Sequence, residues 1–178
     1  IVLAPTRELA IQIHDECAKF CPAVGCRSTV LYGGAAKGDQ LRALRQGADV
    51  VVATPGRLND FLEPPPGFTA PVSAVKASYV VLDEADQMLN VGFEEDVEEI
   101  LQDCPEKRQT FLFSATMPSW VKRITKRFLA PQHVVVDLVG DSKQKVADTI
   151  DLMSCAVSDA NRTSIVMDLV TVYAKDKK

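Results

Sequence analysis

Short strand-like runs rich in apolar residues alternate along this chain with stretches whose apolar positions recur every three or four residues. The runs fall at residues 1–4, 26–32, 49–53, 79–82, 110–113 and 133–136 and predict strands. The helical spacing falls at residues 7–21, 38–46, 56–62, 84–89, 94–104 and 119–129, with Leu9, Ile13, Cys17 and Phe20 marking the first stripe. Val50, Val51 and Val52 follow one another without alternation, which is how a strand buried on both faces reads. The expected class is therefore α/β, a mostly parallel sheet with helices on both faces. Residues 63–71, with Pro64, Pro65, Pro66 and Pro71, predict a loop. In sheets of this kind ligands bind beyond the carboxyl ends of the strands, and every candidate residue below sits at such an end.

The character changes after Asp137. Residues 138–145 are polar and predict a linker, 148–157 suit one strand, and 161–173 suit a helix with Ile165, Leu169 and Val172 on one face. The expected division is 1–137 as one domain and 138–178 as a linker and the start of a second unit.

The 178 residues are 47% hydrophobic and 25% charged, an ordinary globular composition with enough chain for one core. No apolar run approaches the roughly 20 residues of a membrane span, so no membrane partner is expected. The net charge is −4, so nucleic acid, if bound, must be held by local groups rather than by the overall field. The five cysteines include no CxxC pair, which suits free thiols in a reducing, intracellular compartment. His14, Cys17, Cys21 and Cys26 cluster, but their spacing fits no zinc pattern. The chain opens on Ile1 inside a strand-like run, so a targeting segment is expected to lie outside it.

Val80-Val81-Leu82 runs directly into Asp83-Glu84-Ala85-Asp86, so a buried strand delivers three carboxylates to its carboxyl end. Acids in a first helical turn gain roughly 0.3–1 kcal/mol each from the dipole, which accounts for one or two of them. Three crowded carboxylates repel one another unless a cation or proton offsets them, which points to a Mg²⁺–nucleotide site. Asp83 would then hold Mg²⁺ through water, and Glu84 would orient or deprotonate an attacking water. The next strand ends in Ser114-Ala115-Thr116, where a period of two puts both hydroxyls on one side, available to Asp86. A turn before Pro118 with Thr116 as helix N-cap is the other reading of that segment.

Two more strand ends resemble each other: Pro5-Thr6-Arg7-Glu8 and Thr54-Pro55-Gly56-Arg57. Each offers a hydroxyl, an arginine and free backbone N–H groups, a set that binds phosphate and also a set that merely starts a helix. Gly33-Gly34 follows another strand and lets a polymer approach the backbone closely. Together these junctions suit gripping a nucleic-acid strand by its phosphates without reading bases. Glu94, Glu95, Asp96, Glu98 and Glu99 suit either a protein-docking surface or a solvated helix face.

Taken in order, Pro5-Thr6-Arg7-Glu8-Leu9-Ala10, Gly33-Gly34, Thr54-Pro55-Gly56-Arg57, Asp83-Glu84-Ala85-Asp86 and Ser114-Ala115-Thr116 resemble motifs Ia, GG, Ib, II and III of the DEAD-box RNA helicases. The resemblance implies a RecA-like P-loop NTPase domain, truncated at both ends: the adenine-reading Q motif and the GxxxxGKT loop are expected before Ile1, and the arginine-bearing motifs of a second RecA-like domain after Lys178. It implies RNA-dependent ATP hydrolysis with separation of short duplexes or remodelling of RNA–protein complexes. Asp83 and Glu84 would serve Mg-ATP, Asp86, Ser114 and Thr116 would couple ATP to RNA, and Pro5, Thr6, Arg7, Gly33, Gly34, Thr54, Pro55, Gly56 and Arg57 would line the RNA path. The partner would be single-stranded RNA or a short RNA duplex. Without the phosphate loop and an arginine finger, itself worth roughly 10³–10⁵ in rate, the 178 residues alone are expected not to hydrolyse ATP. A non-enzymatic RNA-binding or interfering fragment is the alternative, and an unrelated Mg²⁺-dependent phosphatase a third. Residues 137–148 resemble most a subgroup of plant and algal organellar and nucleolar helicases, implying a plastid, mitochondrion or nucleolus.

Overall fold

The computed structural model describes residues 1–63, 66–67, 69–138 and 154–173. Five strands form one sheet: β1 (Val2–Leu3), β2 (Ser28–Leu31), β3 (Val50–Ala53), β4 (Tyr79–Leu82) and β5 (Gln109–Leu112). Their order is β2-β3-β1-β4-β5 and every pairing is parallel. The helices of this unit are α1 (Arg7–Phe20), α2 (Lys37–Arg45), α3 (Pro55–Leu62), α4 (Ala85–Asn90), α5 (Glu94–Asp103) and α6 (Ser119–Phe128). Parallel neighbours need crossovers, and these helices supply them.

The pleat sorts the apolar strand residues between two cores, because successive side chains point to opposite faces. Leu3, Leu31, Val51, Ala53, Val80 and Leu82 join one core with Leu58 and Phe61 of α3, Met88 of α4, Ile100 and Leu101 of α5, and Trp120 and Ile124 of α6. Val2, Ala4, Val30, Val50 and Val52 join the other, under Leu9, Ala10, Ile13 and Cys17 of α1. Cys17 and Cys104 behave as apolar fillers there and in the larger core, since burial pushes both thiols up and keeps them protonated. All five cysteines are free.

Packing divides the chain into Ile1–Val134 and Val135–Lys178. In the second unit, α7 (Arg162–Tyr173) forms where helical spacing predicts it. Its Val166, Met167, Val170 and Val172 are exposed within that unit. The strand expected over 133–136 is absent: residues 133–137 have no regular structure, and Val134, Val135 and Val136 are 84%, 73% and 73% exposed. Three β-branched residues suit a pleated, half-buried surface, but among the described residues no strand pairs with them. The linker expected at 138–145 lies outside the described residues apart from Leu138, as does the strand expected over 148–157 apart from residues 154–157, which carry no strand.

Ile124 is fully buried among the α6 residues that close the larger core. Ile124→Ala is expected to lower stability by about 2–5 kcal/mol through lost transfer energy and a residual cavity. Urea unfolding of the two proteins measures this, and a loss under about 1 kcal/mol would mean that α6 is not packed as described.

Candidate functional site

A wholly parallel sheet brings all its carboxyl ends to one rim. Across that rim the strand order fixes the sequence of junctions: Gly33-Gly34 after β2, Thr54–Arg57 after β3, Pro5–Arg7 after β1, Asp83–Asp86 after β4 and Ser114–Thr116 after β5. The acidic residues and hydroxyls thus occupy one half, and the threonine, glycine and arginine junctions the other. The halves meet where β1 lies beside β4.

The acidic half is tightly built. The ladder runs one residue past β4, with Asp83 N–H donating to Leu3 O at 3.0 Å. Glu84 then turns the chain into α4 with φ 49°, the one non-glycine residue at positive φ among the described residues. Such a conformation is uncommon for a residue with a Cβ and is sustained by its surroundings. Glu84 N–H donates to Asp83 Oδ1 at 3.0 Å and Ala85 N–H to Phe113 O at 3.0 Å. Asp86 is only 7% exposed. Its Oδ2 accepts from Thr116 Oγ1 at 2.7 Å and from Thr116 N at 3.0 Å. Its own N–H donates to Ser114 Oγ at 3.2 Å, and that hydroxyl donates to Thr116 O at 2.6 Å. Burial alone would raise the Asp86 pKa, but the bonds from the Thr116 hydroxyl and the backbone N–H groups, with the Ser114 hydroxyl beside them, outweigh it and hold the carboxyl below the usual carboxylate range.

These bonds show which side chains cap a helix and which do not. Thr116 does not cap α6, whose N-cap is Pro118; its hydroxyl goes to Asp86. Glu84 occupies the N-cap position of α4 but makes no side-chain capping bond. Glu84 is exposed and Asp83 half-buried. Among the described residues no cationic side chain pairs with either.

The other half is more open. Thr6 caps α1, its Oγ1 accepting from Leu9 N–H at 3.2 Å, and the exposed Arg7 places its guanidinium 4.9 Å from the centre of the Tyr32 ring. Pro5 is buried beneath them. Thr54 stands at the N-cap of α3 with Pro55 at the start of the helix, yet its hydroxyl makes no capping bond. A Cβ on Gly56 would make ordinary contacts at 3.6 Å with Asp96 and Phe93. Gly34 needs to be glycine, at φ 78°. Gly33 does not: its φ is ordinary and a Cβ there would meet nothing within 4 Å. Nothing within the described fold explains a glycine at that position.

Arg57 differs from Arg7. It is 9% exposed, and Nη1 donates to Ala35 O at 3.2 Å while Nε lies 3.2 Å from Asp60 Oδ2 in an ion pair without hydrogen-bond alignment. Gln40, which no motif in the sequence singles out, is 8% exposed and bonds both polar ends to the backbone of Tyr32. The acidic run on α5 is engaged internally: Glu94 and Glu98 pair with Arg123 and Arg127 of α6, and Asp96 and Glu99 accept from Asn59 of α3.

Residues 1–124 match the family model of the DEAD/DEAH box helicases. The whole chain aligns with the maize "DEAD-box ATP-dependent RNA helicase 3B, chloroplastic" at 48% identity, covering 100% of this chain and 23% of that protein. It aligns at 47% with the Arabidopsis thaliana "DEAD-box ATP-dependent RNA helicase 9, mitochondrial", again over 100% of this chain and 28% of the relative. The chain therefore spans about a quarter of the length of the curated relatives it matches. Among solved structures, a DEAD box protein from the hyperthermophile Methanococcus jannaschii superposes with a TM-score of 0.65 and 39% identity over 73% of this chain and 34% of that one. The yeast DEAD-box splicing factor Prp28 superposes with a TM-score of 0.66 and 34% identity over 72% of this chain and 30% of that one.

Because the folded-state pKa of Asp86 lies below its unfolded value, its carboxylate stabilises the fold above the usual carboxylate range, and that stability is lost as pH falls through the depressed value. Thr116→Val removes one of the two bonds to Asp86 Oδ2. It is expected to cost about 1.5–3 kcal/mol at neutral pH and to move the midpoint of acid unfolding upward. Acid titrations followed by circular dichroism measure this, and an unchanged midpoint would show that the hydroxyl does not hold the carboxylate.

Proposed function

The chain belongs to the DEAD/DEAH box helicase family, and from that premise we propose that it forms the working rim of an ATP-dependent RNA helicase. On this reading Mg-ATP meets the β4–β5 half and single-stranded RNA, or one strand of a short duplex, meets the β2–β3–β1 half. The observation that carries the reading is the placement of a carboxylate pair, Asp83 and Glu84, with no cationic partner among the described residues, just beyond β4, next to the strand that leads into Thr6 and Arg7. The printed names of the relatives, which call them ATP-dependent RNA helicases, support the substrate assignment.

The donor set suits Mg²⁺. Among the described residues no cluster of three or more metal-binding side chains exists, which argues against an all-protein cage. Mg²⁺ keeps several waters and needs only one or two carboxylates. Asp83 would hold it through water, since one of its oxygens takes the Glu84 N–H and among the described residues no hydrogen bond engages the other. When bound, the ion would offset charge on the phosphates. Glu84, exposed and with no bonded partner for its carboxylate among the described residues, orients the attacking water or takes its proton. Asp86 touches neither water nor phosphate in this scheme. It fixes the start of α4 to the end of β5, so a shift at Glu84 is passed through Asp86 to Ser114 and Thr116. On the RNA side, Thr6, Arg7 and the backbone at Gly33, Gly34, Thr54 and Gly56 contact phosphate and sugar, holding the strand without reading its bases.

Residues 138–178 would be the interdomain linker and the beginning of the second RecA-like domain; the alignment with the maize relative running on to the end of this chain supports the reading. The organellar names of two relatives support a plastid or mitochondrial location.

At its full natural length the protein is expected to hydrolyse ATP in an RNA-stimulated reaction. Glu84→Gln should lower kcat by about 10²-fold or more, the usual worth of a general base, and leave RNA binding in place. The 178 residues alone, which contain no GxxxxGKT sequence, should bind RNA without turnover. RNA-stimulated phosphate release that survives Glu84→Gln would contradict the assignment.

A further inference from the structure

The turn carrying Gly33 and Gly34 is clamped at both ends by side chains from two different helices. Ahead of the glycines, Gln40 of α2 closes a two-bond ring with Tyr32: Nε2 donates to Tyr32 O at 3.1 Å, and Oε1 accepts from Tyr32 N–H at 3.1 Å. The carboxamide stands in for a strand partner at the residue just past Leu31, the last laddered residue of β2, on the outer strand of the described sheet. Behind the glycines, Arg57 of α3 donates to Ala35 O at 3.2 Å, and its position is fixed by Asp60, whose other oxygen holds Lys37 Nζ at 2.8 Å. Both clamps are buried, at 8% and 9% exposure.

We propose that Gln40 and Arg57 are positioning residues for RNA, which hold the Tyr32–Ala35 turn ready for a phosphate without touching the RNA themselves. The proposal rests on the RNA reading of this half of the rim. Gln40 has both polar ends occupied and no charge, so it has nothing to offer a phosphate. Arg57 has its guanidinium divided between Ala35 and Asp60. Two adjacent glycines have more backbone freedom to lose than any other pair, and a turn left loose would lose it on binding, at the expense of affinity. Clamped in advance, the turn presents its N–H groups in one arrangement. Arg7 depends on the same anchor, because its guanidinium rests over the ring of the tyrosine whose backbone Gln40 holds. Losing Gln40 therefore loosens two candidate phosphate contacts at once, the glycine backbone and Arg7.

The test is binding of a single-stranded uridine oligonucleotide of about ten residues to the full-length protein, followed by fluorescence anisotropy across a salt series. Gln40→Leu keeps the bulk and removes both bonds. It is expected to weaken binding about tenfold and to reduce the steepness of the salt dependence by about 0.7, the share of the charged contact from Arg7, with the thermal unfolding transition retained. A neutral residue can change that slope only through the phosphate contacts of other groups, whereas a general loss of fold lowers the active fraction and leaves the slope alone. Arg57→Met, which keeps the packed stem, is expected to weaken binding as well, and Gln40→Met, which also removes both bonds without changing the charge, replaces Gln40→Leu should that variant not fold. If Arg7→Ala weakens binding while Gln40→Leu and Arg57→Met match the parent in affinity and slope, the positioning proposal is wrong and the RNA reading stands. If Arg7→Ala also matches the parent, the RNA reading falls and the proposal with it.

Discussion

One buried carboxylate ties the rim together. Asp86 accepts two bonds from Thr116 on a single oxygen, and its own N–H is taken by Ser114, so the first turn of α4 and the segment after β5 are one unit. A charged acceptor at 7% exposure is tolerated only because those bonds replace its water, and the same bonds depress its pKa. Everything proposed for Asp83 and Glu84 depends on this attachment. The two acids stand at a positive-φ turn that the flanking bonds from Ala85 to Phe113 and from Asp83 to Leu3 hold in place.

The parallel sheet supplies the rest of the arrangement. With the order β2-β3-β1-β4-β5 and every strand pointing the same way, five separate segments meet along one edge, and the strand that ends in Arg7 lies directly beside the strand that ends in Asp83. The net charge of −4 places no general attraction for nucleic acid on the surface. On the proposed function, affinity on the β2–β3–β1 half would come from short-range contacts: hydroxyls, backbone N–H groups and the one exposed arginine of the two. Such contacts depend on geometry more than on field, which is why the two buried clamps on the glycine turn matter to the proposed function.

The strands were legible because a parallel strand covered on both faces must be apolar throughout, and Val50–Ala53 and Tyr79–Leu82 are. The same rule misleads at residues 133–136, where the apolar run is present and a pairing strand is not, and a run carries no information about its neighbour. Among the site residues, the sequence turned both hydroxyls toward Asp86; Thr116 reaches its carboxylate, whereas Ser114 takes its backbone N–H, and neither lies on β5, which ends at Leu112, so strand alternation is not what brings them there. The state of Arg57 was not legible: its charge is in the sequence, but its carbonyl partner Ala35 lies 22 positions away and is brought close only by folding. Gln40 gave no signal at all, being a neutral residue in a helix whose role comes from two backbone bonds to Tyr32. The positive φ of Glu84 was equally hidden, since no glycine marks it.

A double-mutant cycle between Asp86 and Thr116 tests the central bond most directly. Asp86→Ala, Thr116→Val and the pair are compared with the parent by urea unfolding at neutral pH. The bonded geometry predicts that the double variant loses less than the sum of the singles by at least about 1 kcal/mol, as for residues in one hydrogen-bonded network. Losses that add to within about 0.3–0.5 kcal/mol would mean that the two residues act independently, and the attachment of α4 to the segment after β5 would have no physical basis.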